Sequence, residues 1–376
     1  MSLIDTLPNE ILQYILGKVD IYNFNYNLVC QRFNDNIKRV VGVIRLKPTT
    51  SLDDIERLSE MYKVSVNLSN NKKITDSDLH KLRKVHTLNL RNTNVSDVSA
   101  LGDVHTLYLN GTQVNDVSAL GNVHTLNLSE TLVTDVSALG KVHTLILFAT
   151  NIRDVSALGK VHTLNLCQTK VTDVSALGSV HTLDLNCCHN VTDVSMLGNV
   201  HTLNLSCTKV RDVSALGNVY KLDLSWTRIT DVSMLGNVHT LLLKYTDVTD
   251  VSALGAVHTL YLSCTKVRDV SALGNVHKLD LDHTKVADVS ALGNVHTLFL
   301  INTKVTDVSK LGNIHTLYLS KTKVTDVSAL GSVHTLDLSW TKVRDVSALG
   351  SVHTLYLNNT KVTDVSALKN IPNLHI

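Results

Sequence analysis

Aromatic residues are scarce in this chain of 376 residues, where Phe, Tyr and Trp together make up 4% of the sequence. Apolar residues still reach 44%, so a buried core has to be built mainly from Leu and Val. The formal net charge is +2, too small to favour nucleic acid or an anionic membrane as a partner. No apolar run approaches the roughly 20 residues of a membrane span. These absences predict a soluble protein with an aliphatic core.

Cysteine is present but lacks the spacing of a metal site or of a small disulfide-bonded domain. The six Cys include no C-x-x-C pair. The first ten residues, MSLIDTLPNE, lack the basic and apolar regions of a secretion signal. We therefore expect a reducing compartment, the cytoplasm or alternatively the nucleus, and no cofactor or bound metal.

What the sequence does contain is a repeat of nineteen residues. The stretch VHTLNLSETLVTDVSALGK at residues 123–141 returns as VHTLNLCQTKVTDVSALGS at 161–179. Alignment on the L-x-L core gives fifteen close copies, nearly all with a period of 19. Counted from Val104 as position 1, the apolar residues lie at positions 1, 4, 6, 11, 14 and 17. This spacing fits a coil with one short strand, in which the Leu residues at positions 4 and 6 point inward.

Such repeats predict a solenoid, because one coil cannot bury its six apolar residues unless others stack on it. The stretch VHTLYLNGTQV at residues 104–114 resembles the leucine-rich repeat, L-x-x-L-x-L-x-x-N/C-x-L. The resemblance covers roughly residues 40–376. It implies an α/β repeat fold: a leucine-rich repeat solenoid with a continuous parallel sheet on its concave face.

Three other positions have expected structural roles. Position 9, usually Asn in the family, is Thr in most copies, and its hydroxyl can donate to a neighbouring carbonyl. Position 13 is Asp, which we expect to be the N-cap of a short helical turn and to accept from amides two or three residues later. Position 18 is Gly in nearly every copy, a residue that suits the end of such a turn.

Histidine occupies position 2 in fourteen copies. A linear stack of one residue type does not supply the mixed, converging ligands of a zinc site, so metal binding is the weaker interpretation. Protonation of many neighbouring imidazoles would instead introduce repulsion, so the stability of the fold should depend on pH.

The residues before the repeats follow another pattern. LPNEILQYILGKV and NLVCQRFNDNI each carry an apolar stripe at helical spacing, and together they resemble an F-box. The resemblance implies docking on a Skp-type adaptor of a cullin-RING ubiquitin ligase. The residues that would bind the adaptor are Leu7, Pro8, Glu10, Ile11, Ile15, Leu28, Val29 and Phe33. Two helices that only cap the solenoid are the alternative.

Three segments follow from these patterns. Residues 1–40 form the F-box-like helical module, 41–84 are divergent N-terminal leucine-rich repeats, and 85–376 are the regular array. The divergent segment is expected to contain a helix that Ser51 caps and that carries Leu52, Ile55 and Leu58.

Recognition is expected at the positions that vary, namely 5, 7 and 8, on or beside the outward face of the sheet. Aromatic residues concentrate there, and aromatic residues are typical interface anchors. The candidate partner-binding residues are Tyr108, Phe148, Trp226, Tyr245, Tyr261, Phe299, Tyr318, Trp340 and Tyr356. We expect Trp226, Tyr245 and Tyr261, on three successive coils, to form the main patch. The alternative is that these side chains only shield the sheet.

Together these features favour a substrate-recognition adaptor of an SCF-type ubiquitin ligase whose repeats hold an unknown protein target. The alternative is a leucine-rich repeat scaffold for protein interactions without a ligase. An enzyme is disfavoured, because no nucleophile has a matched base in the sequence.

Overall fold

The computed structural model describes residues 44–46 and 49–376. The described residues form two compact units, the first ending at Asn165 and the second running from Leu166 to Ile376. The F-box-like module at 1–40 lies outside the described residues. No helix in the described part of the chain is long and apolar enough to cross a membrane.

In the first unit, each coil contributes one short strand, and each strand pairs in parallel with the next. The strands are β1 (Ile44–Leu46), β2 (Val64–Asn67), β3 (Thr87–Asn89), β4 (Thr106–Tyr108), β5 (Thr125–Asn127), β6 (Thr144–Ile146) and β7 (Thr163–Asn165).

The second unit repeats this arrangement with eleven strands. They are β8 (Thr182–Asp184), β9 (Thr202–Asn204), β10 (Lys221–Asp223), β11 (Thr240–Leu242), β12 (Thr259–Tyr261), β13 (Lys278–Asp280), β14 (Thr297–Phe299), β15 (Thr316–Tyr318), β16 (Thr335–Asp337), β17 (Thr354–Tyr356) and β18 (Asn373–His375). Their register places Leu opposite Leu, as in Leu222↔Leu241 and Leu241↔Leu260. The predicted parallel sheet is thus present within each unit.

In most coils, the side opposite the strand forms a short 3₁₀ helix, usually with the sequence Ser-Ala-Leu or Ser-Met-Leu. In the first unit these helices are Asp76–Leu82, Ser99–Leu101, Ser118–Leu120, Ser137–Leu139 and Ser156–Leu158. In the second they are Ser175–Leu177, Ser195–Leu197, Ser214–Leu216, Ser233–Leu235, Ser252–Leu254, Ser271–Leu273, Ser290–Leu292, Ser328–Leu330, Ser347–Leu349 and Ser366–Leu368.

The core is aliphatic, as the composition predicts. In the coil that begins at Val104, all six repeating apolar residues are buried, with Leu107 and Leu109 at 0% exposure. The same positions are buried throughout the regular coils, except in the last ones. Each Leu therefore contacts its equivalents in the neighbouring coils, and this burial holds the repeats together.

The divergent segment contains the expected helix, α1 (Leu52–Met61). The Ser51 hydroxyl accepts from the amide of Asp54 at 3.2 Å, so the predicted cap is confirmed. Ile55 and Leu58 are buried, which fixes the apolar face of α1.

Glycine at position 18 is the C-cap of the 3₁₀ helix in nearly every regular coil, as expected for the end of such a turn, and it has a second role. Gly121 has φ −62° and Gly255 φ −63°, in the ordinary helical region rather than the left-handed one. A Cβ atom on Gly121 would instead lie 2.6 Å from the carbonyl oxygen of Ala138 in the next coil. Glycine is therefore needed at position 18 for the close approach of stacked coils, in addition to ending the helix.

The threonines at position 9 bond within their own coil. From Thr93 to Thr341, each threonine hydroxyl at this position donates to the Leu carbonyl three residues earlier, at 2.6–2.8 Å, as Thr112 does to Leu109. Donation to a carbonyl is therefore confirmed. In the one coil with Cys188 at this position, the thiol instead donates to the Leu166 carbonyl of the preceding coil at 3.0 Å.

The aspartates at position 13 accept the expected hydrogen bond but are not N-caps. The Ser118 amide donates to Asp116 at 2.9 Å, yet Val117 is the N-cap of the 3₁₀ helix. This bond and a second from the Ser118 hydroxyl lower the pKa of Asp116, while the carboxylates of neighbouring coils raise it. The hydrogen bonds thus outweigh the repulsion along the column of aspartates.

Candidate protein-binding surface

Position 8 of every regular coil lies in the left-handed region of backbone conformation. Fourteen non-glycine residues there have φ between 54° and 63°, and Gly111 has φ 70°. Asn and Gly tolerate this conformation, whereas other residues strain the backbone by about 1–2 kcal/mol. A residue other than Asn or Gly at this position is therefore held on strained backbone, which is a reason to ask what its side chain does.

Two aromatic residues occupy this strained position in successive coils. The rings of Trp226 and Tyr245 stack with centroids 3.9 Å apart and planes 11° from parallel. Trp226 is 58% exposed and Tyr245 is 48% exposed, with φ of 63° and 59°. An exposed stacked pair on strained backbone lowers the stability of the fold, so the fold alone does not account for it.

Trp340 occupies the same position six coils later and differs in its surroundings. It is as exposed as Trp226, at 58%, and its φ is 60°. Lys321 and Asn359 fill position 8 of the adjacent coils, and no ring stacks on Trp340 within the described residues. The chain thus provides a matched isolated tryptophan.

Tyr261 lies half-buried on the outward face of the sheet, at position 5 of the next coil after Tyr245. The Lys244 ammonium lies 4.7 Å from its ring centroid, and that of Lys278 lies 5.5 Å away. Lys244 precedes Tyr245 directly in the chain, so Trp226, Tyr245 and Tyr261 belong to one neighbourhood. Two cations share one aromatic ring there.

Three other predicted residues extend the sheet face of the second unit. Phe299 and Tyr318 stack with centroids 4.7 Å apart, and Lys278 lies 5.7 Å from the Phe299 ring. Tyr356 stacks on His375 at 4.4 Å. These rings are half-buried, so they shield strands as well as offering contact area.

The first unit contains two of the predicted residues, Tyr108 and Phe148. Both are half-buried, at positions 5 and 7. Neither ring stacks on another aromatic ring among the residues that the structure describes. Seven of the nine predicted residues thus lie in the second unit and two in the first.

Two aspartates on β13 and directly after it complete the charged part of this face. Asp280 accepts from the Ser263 hydroxyl and lies 3.4 Å from the Lys244 ammonium. Asp282 accepts from the Ile301 amide at 2.7 Å. Burial, with the charge of Asp280 second, raises the pKa of Asp282 to about 6. Asp282 therefore changes charge close to neutral pH.

Asp and Asn at position 5 have a structural role that was not predicted from the sequence. Their carboxylate or amide oxygen accepts from the amide two residues later, as Asp223 does from Ser225 at 2.8 Å. Asn204, Asp280 and Asp337 do the same. The recurrence of Asp and Asn at this otherwise variable position was the signal available in the sequence.

The histidine column is regular but contains no metal site. Neighbouring imidazoles stack at 4.5–4.7 Å, and Nδ1 lies 3.1–3.3 Å from the adjacent Thr hydroxyl. Within the described chain, no cluster of His, Cys, Asp and Glu could hold a metal ion. Stacking and these hydrogen bonds make the column an element of the fold.

Two cysteines, Cys167 and Cys188, are buried in the described structure. Burial raises the pKa of Cys167 to about 12 and raises that of Cys188 as well. The thiolate, which is the nucleophilic form, is therefore disfavoured at both residues.

Comparison with known proteins identifies the fold. No family model matches the sequence, and no curated protein is similar to it. Among solved structures, an internalin of Listeria monocytogenes is 19% identical over 88% of this chain and 94% of its own, with a TM-score of 0.54. A leucine-rich repeat protein of Leptospira interrogans is 16% identical over 98% of both chains, with a TM-score of 0.59.

A third similar structure is the leucine-rich repeat ectodomain of the Arabidopsis thaliana membrane receptor kinase GASSHO1/SCHENGEN3 in complex with CASPARIAN STRIP INTEGRITY FACTOR 2. It is 18% identical over 94% of this chain and 53% of its own, with a TM-score of 0.55. These likenesses and the parallel sheets show that the chain has the leucine-rich repeat solenoid fold.

Proposed function

We propose that this protein binds a protein target through the sheet face and the adjoining edge of its second unit. The stacked pair of Trp226 and Tyr245 is the observation that carries the proposal. Both rings are exposed, both stand on left-handed backbone, and both are large enough to anchor an interface. The receptor ectodomain with a similar fold, whose structure contains a bound partner, supports this use of a repeat surface.

The test is affinity purification of the full chain from cells, followed by binding titrations with the partner that it identifies. Trp226→Ala and Tyr245→Ala should each weaken binding by about 2 kcal/mol or more, a typical cost for an aromatic anchor. Trp340→Ala is the matched control and should leave the affinity within threefold of the parent. Equal losses in all three variants would contradict the proposal.

For the whole chain we propose the more specific role of substrate-recognition adaptor in an SCF-type cullin-RING ubiquitin ligase. Its support is the sequence of residues 1–40, which combines two apolar stripes with Leu7 and Pro8 followed by Glu10 and Ile11, and later by Leu28 and Val29. A cap for the solenoid would need the apolar spacing alone. Catalysis would then belong to the ligase partner, and the repeats would choose the target.

Binding of the full chain to a purified Skp-type adaptor tests this role. Leu7→Ala and Pro8→Ala should abolish the interaction, while Trp226→Ala should preserve it. If the unaltered chain does not bind the adaptor, the protein is a leucine-rich repeat scaffold without ligase linkage. The proposal that the second unit binds a protein target is tested by the titrations above and does not depend on this result.

A further inference from the structure

Two cysteines occupy the strained position 8 in successive coils of the second unit. Cys187 follows β8 and Cys207 follows β9, each three residues after the strand ends. These strands pair with Asp184 opposite Asn204. The same register continues to position 8, where the Cys187 amide donates to the Ser206 carbonyl at 2.9 Å. Cys187 and Cys207 therefore lie side by side in adjacent coils.

Side chains at position 8 contact their neighbours in adjacent coils of this unit. The Trp226 and Tyr245 rings stack with centroids 3.9 Å apart. The Asn302 side-chain amide lies 2.9 Å from His283 Nδ1. Parallel strands are about 4.8 Å apart, so these side chains approach more closely than the strands that carry them. Position 8 thus directs successive side chains toward one another.

The backbone at the two cysteines is compatible with a disulfide. Cys187 has φ 57° and Cys207 has φ 59°, so the two residues share one backbone conformation as well as one register. A disulfide joins Cα atoms about 4.4–6.8 Å apart, a range that includes the spacing of about 4.8 Å between parallel strands. Both residues are half-buried, which leaves the thiols within reach of a small oxidant.

The two thiols already interact. Burial raises the pKa of Cys207, and the charge of Cys187 and a hydrogen bond between the two side chains raise it further. Because the thiolate is the nucleophile, Cys207 is held back and Cys187 reacts first. Once Cys187 has reacted, its charge no longer acts on Cys207, so the second thiol ionises more readily.

Cys264 is a matched single thiol in the same column. It also stands at position 8, is half-buried and has φ 59°. Tyr245 and His283 fill position 8 of the coils on either side of it. The column therefore contains one thiol pair and one isolated thiol on equivalent backbone.

We propose that Cys187 and Cys207 are a redox-active pair, which a low-molecular-weight disulfide such as glutathione disulfide oxidises to a disulfide bond between two coils. The Cys187 thiolate attacks one sulfur of the oxidant, forms a mixed disulfide and releases one thiolate. The Cys207 thiolate then attacks the Cys187 sulfur, forms the intrachain bond and releases the second thiolate. The two cysteine protons pass to these leaving thiolates, so the oxidant is reduced to two thiols.

The bond is reversible in the reducing compartment expected from the sequence. The Cβ atoms of a disulfide are about 3.8 Å apart, closer than the spacing of parallel strands, so the bond draws the two coils together and is readily reduced. Disulfides of reducing compartments are usually transient. Trp226 occupies position 8 in the coil after Cys207, so the modification lies beside the proposed binding surface, although the proposal does not rest on that function.

Oxidation of the full chain in glutathione buffers tests the proposal. The reduced protein is equilibrated at increasing ratios of glutathione disulfide to glutathione, and the remaining thiols are alkylated. Chymotrypsin, which cuts at Met196 and Leu197 between the two cysteines, gives peptides for mass spectrometry. The Cys187–Cys207 bond should form at a ratio at least about tenfold lower than the one that modifies Cys264, because its second step is intramolecular. Dithiothreitol should restore both thiols.

Four variants identify the sulfurs involved. Cys207→Ser should leave Cys187 as a mixed disulfide with glutathione, and Cys187→Ser should form no bridge. Cys188→Thr, which restores the common residue at position 9, and Cys264→Ser should form the bridge as the parent does. Position 8 accepts a residue as different as Lys321, so serine there should preserve the fold, which circular dichroism checks.

Recovery of both thiols at every ratio would overturn the proposal, as would their conversion only into two separate mixed disulfides. A bridge that persists in Cys187→Ser, or that is lost in Cys188→Thr, would also overturn it, because Cys188 would then be the partner of Cys207. Oxidation of the pair at the same ratio as Cys264 would show that the second thiol gives no intramolecular advantage, and this result too would contradict the proposal.

Discussion

A Cβ atom built on Gly255 would lie 2.5 Å from the carbonyl oxygen of Ala272 in the following coil. Contacts of this length do not occur between carbon and oxygen, so a side chain here forces the two coils apart. We expect Gly255→Ala to lower the free energy of unfolding by about 1–3 kcal/mol. Denaturant unfolding followed by circular dichroism measures the change.

The control lies in the last 3₁₀ helix, Ser366–Leu368, where Lys369 takes the place of glycine. No further 3₁₀ helix stacks on it in the described chain, so Lys369→Ala should change stability by less than about 0.5 kcal/mol. Equal effects of the two substitutions would show that stacking does not require the glycine.

The buried threonines stabilise each coil through one hydroxyl. Thr227 donates to the Leu224 carbonyl at 2.6 Å and is 3% exposed. Thr227→Val keeps the shape but removes the donor, and should lower the free energy of unfolding by about 1–2 kcal/mol. Thr227→Ser keeps the hydroxyl and should be less harmful in the same denaturation experiment. A serine variant as unstable as the valine variant would assign the effect to the methyl group instead.

Left-handed strain at position 8 is expected to be relieved by asparagine. Lys321 is exposed with φ 59°, and asparagine already occupies this position at 302 and 359. Lys321→Asn should therefore raise the free energy of unfolding by about 0.5–1 kcal/mol. Lys323→Asn changes the same residue type at an exposed site without positive φ, and should not stabilise. Thermal unfolding measures the stability of both variants. If neither variant is more stable than the parent, left-handed strain at position 8 does not limit the stability of the fold.

Acid should destabilise the fold through the histidine column. Burial lowers the pKa of His86, and the charge of His105 adds to this; the pKa of His334 is lowered by burial and then by His353. The unfolded chain therefore binds more protons than the folded one as the pH falls. Stability is complete above the unfolded pKa of about 6.5 and is lost from there down to the folded pKa.

Unfolding temperatures measured from pH 7.5 to pH 5 test this expectation. Tyr220 already replaces a histidine in the column and stacks on His201 at 4.8 Å, so His334→Tyr is a compatible substitution. It should reduce the drop in unfolding temperature. If the unfolding temperature stays constant over this pH range, the histidine column does not make the stability of the fold depend on pH.

Much of the fold could be predicted from the sequence because its determinants recur at a fixed spacing. Leu107 and Leu109 alternate by two residues, so their inward direction follows from strand geometry. Ser51 caps α1 through bonds to residues only three positions away. The outward location of Trp226 and Tyr261 also follows from this period, although their mutual contacts do not.

Only the tertiary structure decided features that depend on the distance between neighbouring coils. The need for Gly255 arises from the Ala272 carbonyl of another coil, and the stacking of Trp226 on Tyr245 arises from two strained residues nineteen positions apart. A repeat period predicts which residues share a column. The distance between those residues and their hydrogen bonds depend on how the coils stack.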